Sequence, residues 1–294
     1  LPLAFYKTFK IEEKYGFNRS SKSLFFKDTF LSILISILIT IILFKSFMFL
    51  YYNYEESWWY LMWVVFMIFN FIILYIYPTL ISPIFNKFKK ITDTKIINVI
   101  NDLTEKTKFN IQDVYVMDGS KRSKHSNAYF TGFYKNKRIV FFDTLLEMLN
   151  VEEIKSVLAH EIGHYKKKHI IKSLYISMIM SLIILYILYM LSSVTLFFSV
   201  FGVTNITPAI IVIIYSLLLP LVTFFCSPFL SLFSRMNEYE ADNFAKKYAN
   251  KNALISSLLK LYKENLSIIK SSPIYSKFYN SHPTVFERIN NLKL

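Results

Sequence analysis

Cysteine is almost absent. Cys226 is the only one in the chain, so no internal disulfide can form and a zinc cluster built on thiolates is excluded. It sits in an apolar run, where a free thiol is expected to be a small buried hydrophobe. Methionine is missing from the start: the chain opens LPLAFYKTFKIEEKYGF, whose first residues read as the tail of an apolar element rather than a signal peptide, which would need a longer apolar core and a cleavage site. That opening reads as a fragment starting partway through a larger protein. There is no internal repeat, no long linker, and no RNA motif or recognition helix.

Charge is missing from long stretches. Phe30–Leu50 is broken only by Lys45, Ser57–Asn86 carries no charge, and Ser173–Ser234 lacks Asp, Glu, Lys and Arg altogether. A bilayer core needs about 20 apolar residues, so the first two runs each make one span. The third is too long for one; it breaks at Phe201–Pro208 into spans near 173–198 and 209–232. With 54% apolar residues and a mean hydropathy of +0.37, the chain is too oily for an ordinary soluble domain.

Basic residues are missing from one side. Four spans put 1–28, 84–172 and 235–294 on a common side, and in each of these Lys and Arg outnumber Asp and Glu. The connecting loops Tyr51–Glu56 and Ser199–Pro208 have no Lys or Arg. The three long segments are therefore expected in the cytosol. The net charge of +14 follows from topology and needs no nucleic acid partner. The sequence thus predicts a mainly α, multi-span transmembrane helical protein with a small cytosolic α+β insert. Two spans fall in 28–83, the insert in 84–172, two spans in 173–234, and a cytosolic tail in 235–294.

Within the insert, Ile96, Ile97, Ile100 and Leu103 give Thr92–Lys108 helical periodicity. Val114–Met117 reads as a strand. Asn127–Tyr134 and Arg138–Phe142 read as a hairpin joined by Lys135–Lys137. A short link then leads to a helix from Val151 that carries VLAHEIGHYKKKH (157–169) and runs on into the bilayer at Ile170.

His160 and His164, at i and i+4, project from one helix face and can share one zinc ion. Glu161 lies about 100° round the helix, close enough to exchange a proton with a water the metal activates, without being a ligand. Gly163 leaves room near the metal. A catalytic zinc needs a third protein ligand and an open fourth position. His169 has the wrong spacing and is expected at the membrane surface with Lys166–Lys168. Glu238 and Asp242, again i and i+4, are the better source: the pair can supply one ligand and one carboxylate that orients a histidine, while Glu240 points nearly opposite. His282, in Ser281-His-Pro283, can donate to the oxyanion of a tetrahedral intermediate. His125 has no assigned role.

Ile11–Asn18, Gly119–Ser123, His125–Phe130, Lys135–Ile139, Phe142–Leu146, His160–His164, Ser234-Arg235 with Glu238–Asp242, and Ser281–Pro283 together resemble the CaaX prenyl-protease family, membrane zinc metalloproteases of the Ste24 type with a gluzincin-like fold. The resemblance implies seven spans around a water-filled chamber, of which about three would precede this chain. It implies one Zn2+ per chain held by His160, His164 and Glu238, catalysis by Glu161 and His282, and Asp242 orienting a ligand. Asn127 and Ala128 match an edge strand that pairs with the substrate backbone. The implied reaction removes the C-terminal tripeptide from prenylated CaaX proteins, in a multi-pass setting of the endoplasmic reticulum or inner nuclear membrane with the site facing the cytosol; the partners are prenylated C-termini and membrane lipid. An HtpX-like quality-control protease, and a polytopic carrier or scaffold, are the alternatives.

Overall fold

A computed structural model describes residues 1–109, 113–131 and 138–294. The expected hairpin link, Lys135–Lys137, and the end of its first strand, residues 132–134, lie outside the described residues. The chain divides into two units: Leu1–Asp28, Leu74–His169 and Phe229–Leu294 form one, Thr29–Ile73 and Ile170–Pro228 the other.

The first unit is built on a four-stranded sheet of order β1-β2-β4-β3: β1 Phe88–Lys90, β2 Asp113–Met117, β3 Ala128–Thr131 and β4 Arg138–Phe142. β2 and β4 run parallel, while β1 and β3 pair antiparallel at the two edges. Because strand side chains alternate, Ile139 and Phe141 point to one face together, and both are fully buried. On that face they join Leu103 of the helix Thr94–Thr107 and Leu158 and Ile162 of the motif helix, Val151–Lys166. β1 escapes sequence analysis because three residues reading Phe-Lys-Lys show no usable alternation. Its lysines suit an exposed edge. The expected link after β4 contains a helix of its own, Asp143–Met148.

The motif helix is fixed at its start by a capping box. Asn150 Oδ1 accepts from the Glu153 N–H and Glu153 Oε2 from the Asn150 N–H, both at 2.9 Å. The buried Glu153 carboxylate also takes Ser256 Oγ and Lys260 Nζ, each at 2.7 Å, from the helix Lys251–Glu264. Burial alone would raise the Glu153 carboxyl, but Lys260, Ser256 and the Asn150 N–H outweigh it and hold it below the usual range. Glu153→Ala is therefore expected to cost about 3 kcal/mol, read as a lower thermal midpoint, because it strips a buried carboxylate from its partners. The stabilisation is complete above the unfolded-chain value of 4.5 and is lost as pH falls through the lower folded value. A midpoint unchanged by the substitution contradicts this pin.

The N-terminal stretch docks on the loop after β2. Phe17 stacks on His125 at 4.1 Å between ring centres, Lys124 N–H donates to the Phe17 carbonyl, and Asn18 bridges Ser123. Arg122 clamps Asp28 with two hydrogen bonds at 2.7 and 3.1 Å and also reaches Asn86. His125, held further by Asn265 Oδ1 at 3.1 Å, thus has a structural setting.

Among the described residues, four helices are long and apolar enough to cross a membrane: Lys22–Asn53, Trp58–Phe85, His169–Ser192 and Pro208–Tyr248. Two expected bounds shift. The third helix ends at Ser192 instead of 198, and a five-residue helix, Thr195–Ser199, follows. The fourth runs past 232 to Tyr248 through Pro220 and Pro228. For the third the Phe201–Pro208 break, and for the fourth the return of charge at Arg235, marks where the apolar run ends, which is a different boundary from the end of the helix. Cys226, expected to be buried, is only partly so. Within the second unit Trp63 Nε1 donates to the Met178 carbonyl at 3.1 Å and Tyr215 Oη to the Leu188 carbonyl. Phe47, Leu50, Trp58, Phe198 and Ile211 form its buried cluster. Many remaining apolar side chains, among them Ile37, Ile41, Phe71 and Ile183, stay exposed, as a surface facing acyl chains requires.

Candidate metal centre

The motif helix brings His160 and His164 onto one face with their Nε2 atoms 3.1 Å apart. Glu238, carried by the long helix Pro208–Tyr248, places carboxylate oxygens 3.5 Å from His160 Nε2 and 3.3 Å from His164 Nε2. Donor atoms of all three lie within 4.8 Å of one another. The helices can approach this closely because residue 163 is glycine. A Cβ there would meet Ala241 Cα and Phe244 Cβ at 3.1 Å, so the room that Gly163 leaves serves helix packing rather than the metal. Gly163→Ala is expected to force the helices apart by a few tenths of an ångström and to cost about 1–3 kcal/mol, visible as a lower thermal midpoint. A midpoint at or above that of the parent rules out the close-contact role.

Asp242, fully buried one turn beyond Glu238, accepts from His160 Nδ1 at 2.9 Å. It also holds Arg288, whose Nε and Nη2 reach its two oxygens at 2.8 and 2.5 Å. Arg288 Nη1 lies 3.4 Å from Glu238 as well. Arg288 thus spans both carboxylates, and sequence analysis gave it no role. The available signal was its spacing: Val285, Arg288 and Leu292 are the buried face of the helix Val285–Lys293, and a charge on such a face calls for a buried partner. Arg235 secures that helix to the long one through Glu287 at 2.7 Å and also holds Ser276 of the preceding helix, Pro273–Tyr279.

Burial and the Arg288 guanidinium both disfavour an imidazolium at His160, yet the Asp242 and Glu238 carboxylates prevail and lift it to about 9. With His160 deprotonated, as metal binding requires, two buried carboxylates facing one guanidinium leave a net negative charge for a cation to balance. At Glu161, burial pushes the carboxyl up, while His160 and His164 draw it back. His282 Nδ1 lies 3.0 Å from Glu238 Oε1, with a largely exposed ring. Asn127 and Ala128 stand at the start of β3, where the Asn127 carbonyl accepts from the Phe142 N–H and its side chain from the Ala128 N–H.

His169, expected beside Lys166–Lys168, is buried against polar partners. It is 3% exposed and opens the third apolar helix, with Nδ1 2.9 Å from His164 Nδ1 and Nε2 3.0 Å from Glu240 Oε2. The expected continuous helix is in fact two, separated at Lys167 and Lys168.

A sequence profile described as Peptidase family M48 matches residues 90–294, and one described as CAAX prenyl protease N-terminal, five membrane helices, matches residues 1–87. The chain belongs to peptidase family M48. CAAX prenyl protease 1 of Saccharomyces cerevisiae (strain ATCC 204508 / S288c) is 36% identical over 312 residues, covering 99% of this chain and 68% of that protein. The Homo sapiens CAAX prenyl protease 1 homolog is 32% identical over 337 residues, covering 100% and 70%. The crystal structure of S. mikatae Ste24p matches this M48 chain with a TM-score of 0.92 at 33% identity, over 100% of the chain and 72% of that structure. The family read from sequence motifs is therefore the family found, and the chain is a multi-span membrane metallopeptidase.

Proposed function

We propose that this M48 metallopeptidase is a zinc endopeptidase that removes the C-terminal tripeptide from prenylated CaaX proteins. The observation that carries the reading is the convergence of His160, His164 and Glu238, from two separate helices, in a chain akin to proteins named CAAX prenyl protease 1. Two imidazole nitrogens and one carboxylate oxygen form a donor set suited to one zinc ion per chain with a fourth position open. Asp242 supports that fit: bound to Nδ1 of His160, it leaves Nε2 directed at Glu238.

A zinc ion there would polarise the scissile carbonyl and acidify a water. In our reading Glu161 accepts the proton of the attacking water on its carboxylate and delivers it to the departing amine nitrogen. His282 donates an N–H to the oxyanion as the carbonyl becomes tetrahedral. Asn127 and Ala128 open an uncharged edge strand, Ala-Tyr-Phe-Thr, which a substrate backbone extends by β-augmentation. The Lys and Arg distribution supports a site on the cytosolic side of an endoplasmic reticulum or inner nuclear membrane, with lipid around the spans.

Mass spectrometry of a farnesylated peptide ending in Cys-a-a-X, incubated with the purified protein, tests the substrate class. The expected product lacks three residues, and the unprenylated peptide is cut far more slowly. Equal cleavage of both peptides, or cleavage at another bond, contradicts the proposal.

A further inference from the structure

A histidine that binds metal through one ring nitrogen needs a partner on the other, because that hydrogen bond fixes both its tautomer and its ring orientation. His160 has Asp242. At Nδ1 of His164, among the described residues, stands not a carboxylate but a second imidazole, His169, at 2.9 Å. Two facing ring nitrogens make a hydrogen bond only when one carries the proton. If His164 Nε2 is bare, as a ligand must be, the proton sits on its Nδ1 and donates to His169 Nδ1. The His169 proton must then be on Nε2, which faces Glu240 Oε2 at 3.0 Å. Each placement forces the next, and the series ends on a group that only accepts.

We propose that His169 and Glu240 form a relay that holds His164 in its metal-binding tautomer and orientation. The inference rests on the metal reading above. The backbone is arranged for it. In a continuous helix a residue five positions after His164 would lie about 140° round from it, out of reach. Lys168 instead adopts a left-handed conformation, φ 58°, which ends the motif helix and restarts the chain with His169 beside His164. A non-glycine residue in that region is uncommon and costs energy, which fits a turn retained for what it positions. The long helix thus supplies three carboxylates in alternate positions: Glu238 to the metal, Asp242 to one histidine, and Glu240 to the relay that reaches the other.

Zinc retention against a competing chelator, measured on purified protein, is the test, together with the visible spectrum of the cobalt-substituted form. His169→Phe is expected to weaken retention about 10–100-fold and to shift the cobalt spectrum. Glu240→Ala should weaken it in the same direction, and Glu240→Gln, which keeps an acceptor oxygen, should restore most of it. Glu240 is partly exposed, so its variants read the relay even if His169→Phe folds poorly. Unchanged retention and spectrum in both His169→Phe and Glu240→Ala overturn the relay alone. A parent protein that holds no zinc, or that keeps it in Glu238→Ala, overturns the metal reading and the relay with it.

Discussion

Glu161→Gln is expected to keep its metal and lose its peptidase activity. The side chain is no ligand in this arrangement: the three donors that converge are His160, His164 and Glu238, and the substitution leaves all of them in place. Glutamine preserves the shape of the carboxylate but cannot accept and release a proton. General acid–base catalysis contributes about 10²–10⁴-fold, so kcat should fall by at least the lower end of that range. Zinc content and KM should stay close to the parent values, because neither the donor set nor the substrate edge is touched. Burial already disfavours charge at this position, so removing the charge should not lower the thermal midpoint. Activity within tenfold of the parent would mean that another group moves the proton.

The second large effect is expected at Arg288. Its guanidinium is almost fully buried and lies against Asp242 and Glu238, themselves buried. Arg288→Met removes the cation and leaves two carboxylates facing each other without it. Breaking a buried ion pair from one side costs about 3–5 kcal/mol. A bound dication would replace part of the lost positive charge, so the metal-free variant should be destabilised more than the metal-loaded one. Arg288→Lys should recover only part of the loss, since an ammonium cannot reproduce the two-point contact with Asp242. Thermal midpoints of both forms, with and without metal, decide this. Equal losses in the two would show that Arg288 acts through packing rather than charge.

What sequence could reveal here depended on whether a feature has a period or a spacing. Two histidines four apart share a helix face by geometry alone, and so do Glu238 and Asp242. Long charge-free runs have one physical explanation, and four helices fill them. β2 and β4 announce themselves through consecutive β-branched and aromatic residues. The features that escaped depend on tertiary structure. His169 has the wrong spacing for a third ligand, and nothing in Lys167-Lys168 announces the left-handed turn that gives it another place; a glycine there would have. Glu240, on the far side of its helix from Glu238, gains a role only because that turn brings His169 to it. Arg288 carried a readable sign, a charge on an apolar face, but its partners lie some fifty residues earlier in the chain. Gly163 reads from sequence as room near the metal, and the fold fills that room with Ala241 and Phe244. Its two possible neighbours, metal and helix, cannot be told apart until the helices are packed.

The most direct test of the central claim is elemental analysis of the purified protein alongside its Glu238→Ala variant, with peptidase activity measured on the same samples. The account predicts one zinc per chain in the parent, little or none in the variant, and activity that falls with the metal and returns when zinc is restored to the parent after chelation. Full activity in parent protein shown to be metal-free, or an undiminished zinc content in Glu238→Ala, would contradict it.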